Sequence, residues 1–387
     1  MDQSPKPITS NEKKVLYGLV RYSNLNDKQL AKVLGVKDST LTSVKKRLSE
    51  NKYYRTLYVP MLNRLGCELL GISFTSFNPI IPLNERIKKS TETIEKNDEI
   101  FLSVGALEHG FSLSFTKDYT TYSKINENRT IFFGKEHLID KDYPREVIFP
   151  FTISRFHRFF DYSHVLAKLF NIDKKSINQS ELNKIIKNLE NELEEDESPN
   201  NRDNINTLKE DNYKNIFEES KLIKLSEKER LVFCALIKQP EATMQQIGDE
   251  VGLSRHTVAR MKKKFFADGL IKKIIIPNLH KLGFSILVFY HFQFSPTHPL
   301  DLEGLRLLNS SSAVFFASRQ YQAVMLASYP NYADYKDDKM KMIEYLKENK
   351  YINYTPNPIK YVYDQMKFIK YFDLAPITKK ILESKDN

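Results

Sequence analysis

Two segments of this chain place cations and hydroxyls at spacings that could engage a polyanion. The first, residues 38–51 (DSTLTSVKKRLSEN), presents Ser39, Thr40, Thr42, Ser43, Lys45, Lys46 and Arg47. The second, residues 254–268 (SRHTVARMKKKFFAD), presents Arg255, His256, Thr257, Arg260, Lys262, Lys263 and Lys264, and Lys272 follows in a β-prone run. If each segment is a helix, its first residues can reach base edges in a duplex groove while later cations sit near phosphates. A lysine-rich amphipathic helix standing alone is usually just a solvated face. Two of them in matching surroundings are better explained by a shared role.

Other chemistry is poorly provided for. Cys67 and Cys234 are the two cysteines, too few for a disulfide framework or a thiolate zinc site, which suits a reducing cytoplasm. Phosphate-cradling loops need glycine, and with 12 glycines neither GxxxxGK[ST] nor GxGxxG occurs. The nearest spacings, Gly66/Gly71 and Gly105/Gly110, are followed by Ile72 and Phe111 where a Walker loop needs lysine. His109, His157, His164, His291 and His298 never pair at ligand spacing within one element, and His157 and His291 lie among aromatics, as core or surface histidines do. No paired carboxylates, Ser/His/Asp or Cys/His set stands out. The expectation is a protein that is not an enzyme and carries no cofactor and no metal. Nor is a membrane span expected, since no apolar run approaches the ~20 residues needed.

The 387 residues suit two to four domains, and the net charge of +10 fits an anionic partner such as double-stranded DNA. Low glycine with abundant Lys, Ile and Asn suggests an AT-rich, archaeal genome. More telling is that the chain repeats itself. Shifted by 217, residues 8–79 lie on 225–296 without a gap, and about 15 of the 72 positions are identical. Among them are Glu12/Glu229, Gly35/Gly252, Lys45-Lys46/Lys262-Lys263, Pro60/Pro277 and Gly66/Gly283. Further on, IFLSV (100–104) pairs with VFFAS (314–318), and RFHRFFD (155–161) with KFIKYFD (367–373).

Each copy opens with a capping box, Thr9-x-x-Glu12 or Ser226-x-x-Glu229, and an apolar helix face. A short helix follows that ends at Gly35 or Gly252, where glycine supplies the left-handed cap. The cationic segment comes next, buried through Leu41, Val44 and Leu48, or Val258, Met261 and Phe265. Two short helices joined by a tight turn make a helix-turn-helix. The β-prone runs beyond, NKYYRTLYVP and DGLIKKIIIP, would form a wing carrying Arg55, Lys272 and Lys273. The rest of copy two reads strand (285–294), helix (300–309), strand (313–319), strand (322–328), helix (332–349) and strand (358–368), the βαββαβ order of a ferredoxin-like domain. In copy one, 84–97 is helical and 100–116 holds two strands, while 120–150 has no clear pattern.

In these motifs the chain resembles the Lrp/AsnC (feast/famine) family of transcriptional regulators. The likeness rests on LSEKERLVFCALI and IGDEVGLSRHTVARMKKKFFADGLIKKIIIPNLHKLGF, with Gly-Leu-Ser opening the recognition helix and Leu-Gly before the first sheet strand. Copy one departs from it at Lys37, against Ser254, and at Lys52-Tyr53, against Gly269-Leu270. The resemblance implies an α+β fold in two copies, each a winged helix-turn-helix followed by a ferredoxin-like domain. It also implies duplex DNA as partner and a small-molecule effector of unidentified nature. The expected organisation is helix-turn-helix 8–60, effector-type domain 61–172, acidic helix and linker 173–224, helix-turn-helix 225–277 and effector-type domain 278–385. The copies are expected to pair as an internal pseudo-dimer, with a further homodimer open. The stretch 194–215 reads as a spacer without specific contacts, whose cleavage would release two folded halves. Two other readings compete: a winged-helix module for protein contacts, and an enzyme like the siroheme decarboxylases, which also resemble this family and occur as paired halves.

Overall fold

The computed structural model describes residues 8–139, 142–173, 176–195, 215–217 and 221–383. The first repeat begins with α1 (Ser10–Arg21), α2 (Asp27–Leu34) and α3 (Asp38–Glu50), followed by strand β1 (Tyr54–Pro60) and β2 (Leu69–Ser76). Its remainder is α4 (Leu83–Ile94), β3 (Ile100–Gly105), β4 (His109–Thr116), α5 (Tyr119–Lys135), β5 (Arg145–Pro150), β6 (Arg155–Phe159) and α6 (Ser163–Phe170), with α7 (Gln179–Glu195) leading out of it. The second repeat holds α8 (Glu227–Lys238), α9 (Met244–Val251), α10 (Arg255–Ala267), β7 (Ile271–Pro277), β8 (Ile286–Gln293), α11 (Leu302–Leu308), β9 (Ala313–Arg319), β10 (Gln322–Tyr329), α12 (Tyr332–Glu348), β11 (Ile359–Val362), β12 (Lys367–Tyr371) and α13 (Ala375–Glu383). From α1 to β2, both ends of every α-helix and strand recur in the second repeat at the shift of 217 read from the sequence. The patternless stretch 120–150 resolves into α5 and β5, completing βαββαβ in copy one.

Local chemistry sets the helix boundaries. Thr9 Oγ1 accepts from the Glu12 amide and the Glu12 carboxylate accepts from the Thr9 amide; Ser226 and Glu229 repeat the box at α8. Both α2 and α9 end in left-handed glycines, Gly35 at φ 61° and Gly252 at φ 70°. Behind α3, Leu41 and Leu48 are fully buried, as are Val258 and Phe265 behind α10. At full burial each such side chain contributes roughly 1.5–3 kcal/mol.

The segments expected to be wings do something else. β1 and β7 pair with each other, antiparallel, with Leu57 opposite Ile274 at the centre. These two are repeat equivalents, so a pseudo-twofold axis passes between them. The backbone bonds at the ends obey it: the Met61 amide donates to the Leu270 carbonyl, and the Asn278 amide to the Tyr53 carbonyl. Neither strand is a free hairpin. Arg55 turns inward, its guanidinium 3.9 Å from the Tyr371 ring centre, and Lys273 is half-buried, so neither is a wing cation.

Each repeat's sheet runs in the order fourth, first, third, second strand (β5-β2-β4-β3 and β11-β8-β10-β9), and each is then extended by a strand from the other copy. β6 joins β9 and β12 joins β3, so the repeats exchange edge strands reciprocally. These are the RFHRF and KFIKY segments whose likeness marked the duplication. The swap is pinned by equivalent cations: Arg158 in β6 donates to the carbonyls of Asn309, Ser310 and Ala313, and Lys370 in β12 to that of Asn97. The single strand expected over 358–368 is therefore two, one kept and one given away.

The sheets face each other through Phe74, Phe111, Phe289 and Tyr361, with α4 and α5 outside one and α11 and α12 outside the other. α7 packs on α2 through Leu182, Ile185 and Ile186, so these apolar residues of the acidic helix serve the protein's own core. Most of the expected spacer 194–215 lies outside the described residues, but Asn215 and the two residues after it are inserted. The Asn215 side chain accepts from the Phe156 amide and donates to the Ser154 carbonyl, and Phe217 is fully buried among Phe115, Phe151, Phe156 and Phe159. The expectation of a segment without contacts fails at this end. Among the described residues no helix is long and apolar enough to cross a membrane.

Candidate nucleic-acid interface

Helix α10 shows one stripe to solvent. His256, Arg260 and Lys263, spaced i, i+4, i+7, lie opposite the buried Val258 and Phe265 and are exposed, as is Arg255 at the first turn. None of these cations forms an ion pair among the described residues. Ser254 caps the helix by accepting from the Thr257 amide at 3.2 Å, leaving Thr257 a half-buried capping partner.

The other predicted cations are partly committed within the protein. Lys264 meets Glu229 at 2.7 Å and Arg47 meets Glu12 at 2.7 Å, the same pair in both copies. Lys264 holds the Glu229 carboxyl below its ordinary range, assisted against burial by the Ser226 capping bonds; the Glu12 carboxyl is also depressed, its partial burial outweighed by Thr9 and Arg47. Arg47 and Lys264 therefore tie the third helix of each repeat to its first helix. Lys262 lies over the Tyr58 ring at 5.0 Å, and Lys272 is half-buried in β7 opposite Val59.

On α3 the equivalent stripe is Ser39, Ser43 and Lys46, all exposed, with Lys46 3.8 Å from Glu50. Lys45 is bound to Asp27 at 2.8 Å, an acid that copy two replaces with Met244. Thr42 and Ser43 return their hydroxyls to the carbonyls of Asp38 and Thr40, and Thr40 is half-buried. Lys37 gives no side-chain cap, and Lys52 takes a left-handed φ of 53° where copy two has Gly269. The two exposed stripes share geometry and differ in chemistry. Sequence reasoning found the helices but missed the ion pairs: Glu12 and Glu229 were assigned to capping alone, although each carboxylate has a second oxygen to offer.

The histidines are scattered. His157 stacks on Phe316 and meets Ser318 Oγ at 2.8 Å, and burial lowers its pKa to about 4. His291 contacts Gln322, and burial lowers its pKa as well. Among the described residues no cluster of three or more His, Cys, Asp or Glu could hold a metal. Between the sheets lies an apolar cavity of about 80 Å³ bordered by Leu102, Phe111, Tyr162, Leu287, Tyr363 and Tyr371.

Two helix-turn-helix units, each followed by a βαββαβ sheet, give the chain the tandem architecture that the Lrp/AsnC resemblance implies. No protein-family model and no curated protein sequence matches it. Solved structures do: the siroheme decarboxylase NirDL aligns over 97% of this chain and 100% of its own at 8% identity and a TM-score of 0.47. An AsnC family regulator from Agrobacterium tumefaciens aligns over 38% of this chain and 95% of its own at 18% identity, TM-score 0.30. AsnC of E. coli aligns over 36% and 92% at 14% identity, TM-score 0.26. A likeness that runs along nearly the whole chain is to an enzyme, so the expectation that this protein is not one is not supported.

Proposed function

We propose that the protein is a sequence-specific, DNA-binding transcriptional regulator that reads a duplex with two unequal helix-turn-helix units carried as an internal pseudo-dimer. The observation carrying this reading is the exposed stripe His256, Arg260 and Lys263 on α10, free of ion pairs among the described residues and held by the β1–β7 ribbon in pseudo-twofold relation to the equivalent stripe on α3. Copy two supplies an imidazole and a guanidinium where copy one supplies hydroxyls, so the two half-sites differ.

Arg260→Ala is expected to weaken specific binding by about 1–3 kcal/mol if the guanidinium holds a base edge. Lys263→Ala should weaken binding to all sequences alike and lower the salt slope by about one. Lys264→Ala, by contrast, should leave that slope unchanged and reduce folding stability by roughly 0.2–1 kcal/mol through loss of the Glu229 pair. Salt titrations on a selected duplex and on random DNA, with denaturant curves for each variant, separate these outcomes. If Arg260→Ala and Lys263→Ala both bind like the parent, α10 does not read DNA.

A further inference from the structure

The two sheets are alike on their inner faces and opposite in character on their outer ones. Under α12 the outer face carries Val288, Tyr290, Phe292, Phe316 and Met325, an apolar core closed by Met342 and Leu346. The register-matched positions under α4 and α5 are Gly71, Ser73, Thr75, Ser103 and Ser112, with Ser114 beside them, and the position of Met342 is taken by Arg129. The serines and threonines of this face are buried, as are Arg86, at 1% exposure, and Arg129, at 7%. In this close-packed layer the Tyr122 ring lies over Gly71 and the Arg129 guanidinium over Ser112, so polar and charged groups stand where copy two packs Tyr, Phe and Met.

The polar groups there are only partly satisfied. Arg129 reaches Asn126 Oδ1 at 3.4 Å and Ser112 Oγ at 3.1 Å, while its Nε has no partner among the described residues. Arg86 donates through one nitrogen to the Ala106 carbonyl, and its Nε and other terminal nitrogen have no partner among the described residues. The two guanidiniums lie against the Phe77 and Phe133 rings, which touch each other edge to face. The acids that influence them, Glu146 and Glu108, are exposed, and neither forms an ion pair with Arg129 or Arg86 among the described residues. Burial draws the Arg129 pKa down to about 10 and raises that of Glu146, each partly offset by the charge of the other without a direct ion pair. An uncompensated buried charge is costly, and a planar guanidinium with free N–H groups matches a carboxylate in geometry.

We propose that the layer between α5 and the first sheet is a binding site for a small carboxylate, seated on Arg129 and the Ser73/Ser103/Ser112 floor with Arg86 contributing positive potential. Copy two has closed the same layer with apolar side chains, so there is one such site per chain. The proposal does not depend on DNA binding.

The test is thermal unfolding of the full chain with millimolar succinate, citrate or inorganic phosphate, against sodium chloride of equal ionic strength. A carboxylate should raise Tm by about 2–5 °C and slow amide exchange in residues 119–135. Arg129→Met, which installs the residue of copy two, should abolish both effects; Arg129→Lys, which keeps the charge, should retain part of them and serves if the methionine variant does not fold. No rise with either carboxylate overturns the proposal, as does a rise that survives in the Arg129→Met protein. A rise with phosphate alone overturns the carboxylate assignment.

Discussion

Replacing Phe217 by alanine is expected to cost about 3–5 kcal/mol of folding stability, the range for truncating a fully buried phenylalanine. The ring sits with centroids 5.0 Å from Phe151 and Phe156, 5.2 Å from Phe159 and 5.8 Å from Phe115. Those partners come from β4, β6 and the turn between β5 and β6, the region where the exchanged strand leaves its own repeat. Little can collapse into the gap, because the neighbours are anchored in two different sheets. Phe217→Leu keeps most of the volume and should cost much less. Denaturant midpoints at unchanged m-value measure both. A loss below about 1 kcal/mol for Phe217→Ala would show that the inserted segment is an accessory to the core.

Most of the first seventy residues of each repeat could be read from sequence, because capping boxes, helix-ending glycines and buried periodicity are local signals. Glu12 and Glu229, Gly35 and Gly252, and Leu41 and Val258 each declare themselves within a few neighbours. The exchanged strands could not be read this way. RFHRF and KFIKY looked alike and looked extended, but the sheet a strand joins is decided by partners far away along the chain. Arg158 against Asn309 and Ser310, or Lys370 against Asn97, leaves no mark on nearby sequence. Phe217 was hidden for a related reason: one aromatic beside an acidic run weighs little in a composition average, yet it fills a core.

The reading faces were partly legible. The sequence placed Arg255, His256, Arg260 and Lys263 on the exposed side of a helix, where the structure has them. It could not show that Arg47, Lys45 and Lys264 already meet Glu12, Asp27 and Glu229, since pairs on different helices have no fixed spacing. The polar layer around Arg129 was equally obscure. Small polar residues at alternate positions, Ser73 and Thr75 in β2 and Ser112 and Ser114 in β4, have the period of an ordinary solvated strand face, and only the helix lying over them makes their polarity unusual.

Cutting the chain between residues 195 and 215 is expected to leave the two fragments bound to each other, where an autonomous pair of halves would separate. The amino-terminal fragment supplies β6 as the edge of the second sheet, and the carboxy-terminal fragment supplies β12 as the edge of the first. β1 and β7 add seven paired positions across the pseudo-twofold axis. The inner faces of the sheets, with Phe74 and Phe111 against Phe289 and Tyr361, would otherwise be open to water. Such a contact resembles a domain core cut in half, the character of obligate interfaces. A protease site placed in the interval, followed by gel filtration without denaturant, should give one peak holding both fragments. They should part only in denaturant, and the amino-terminal fragment expressed alone should be insoluble or expose apolar surface. Two separate, folded peaks at micromolar concentration would mean that each repeat can close its own sheet, and that the strand exchange adds little to holding the molecule together.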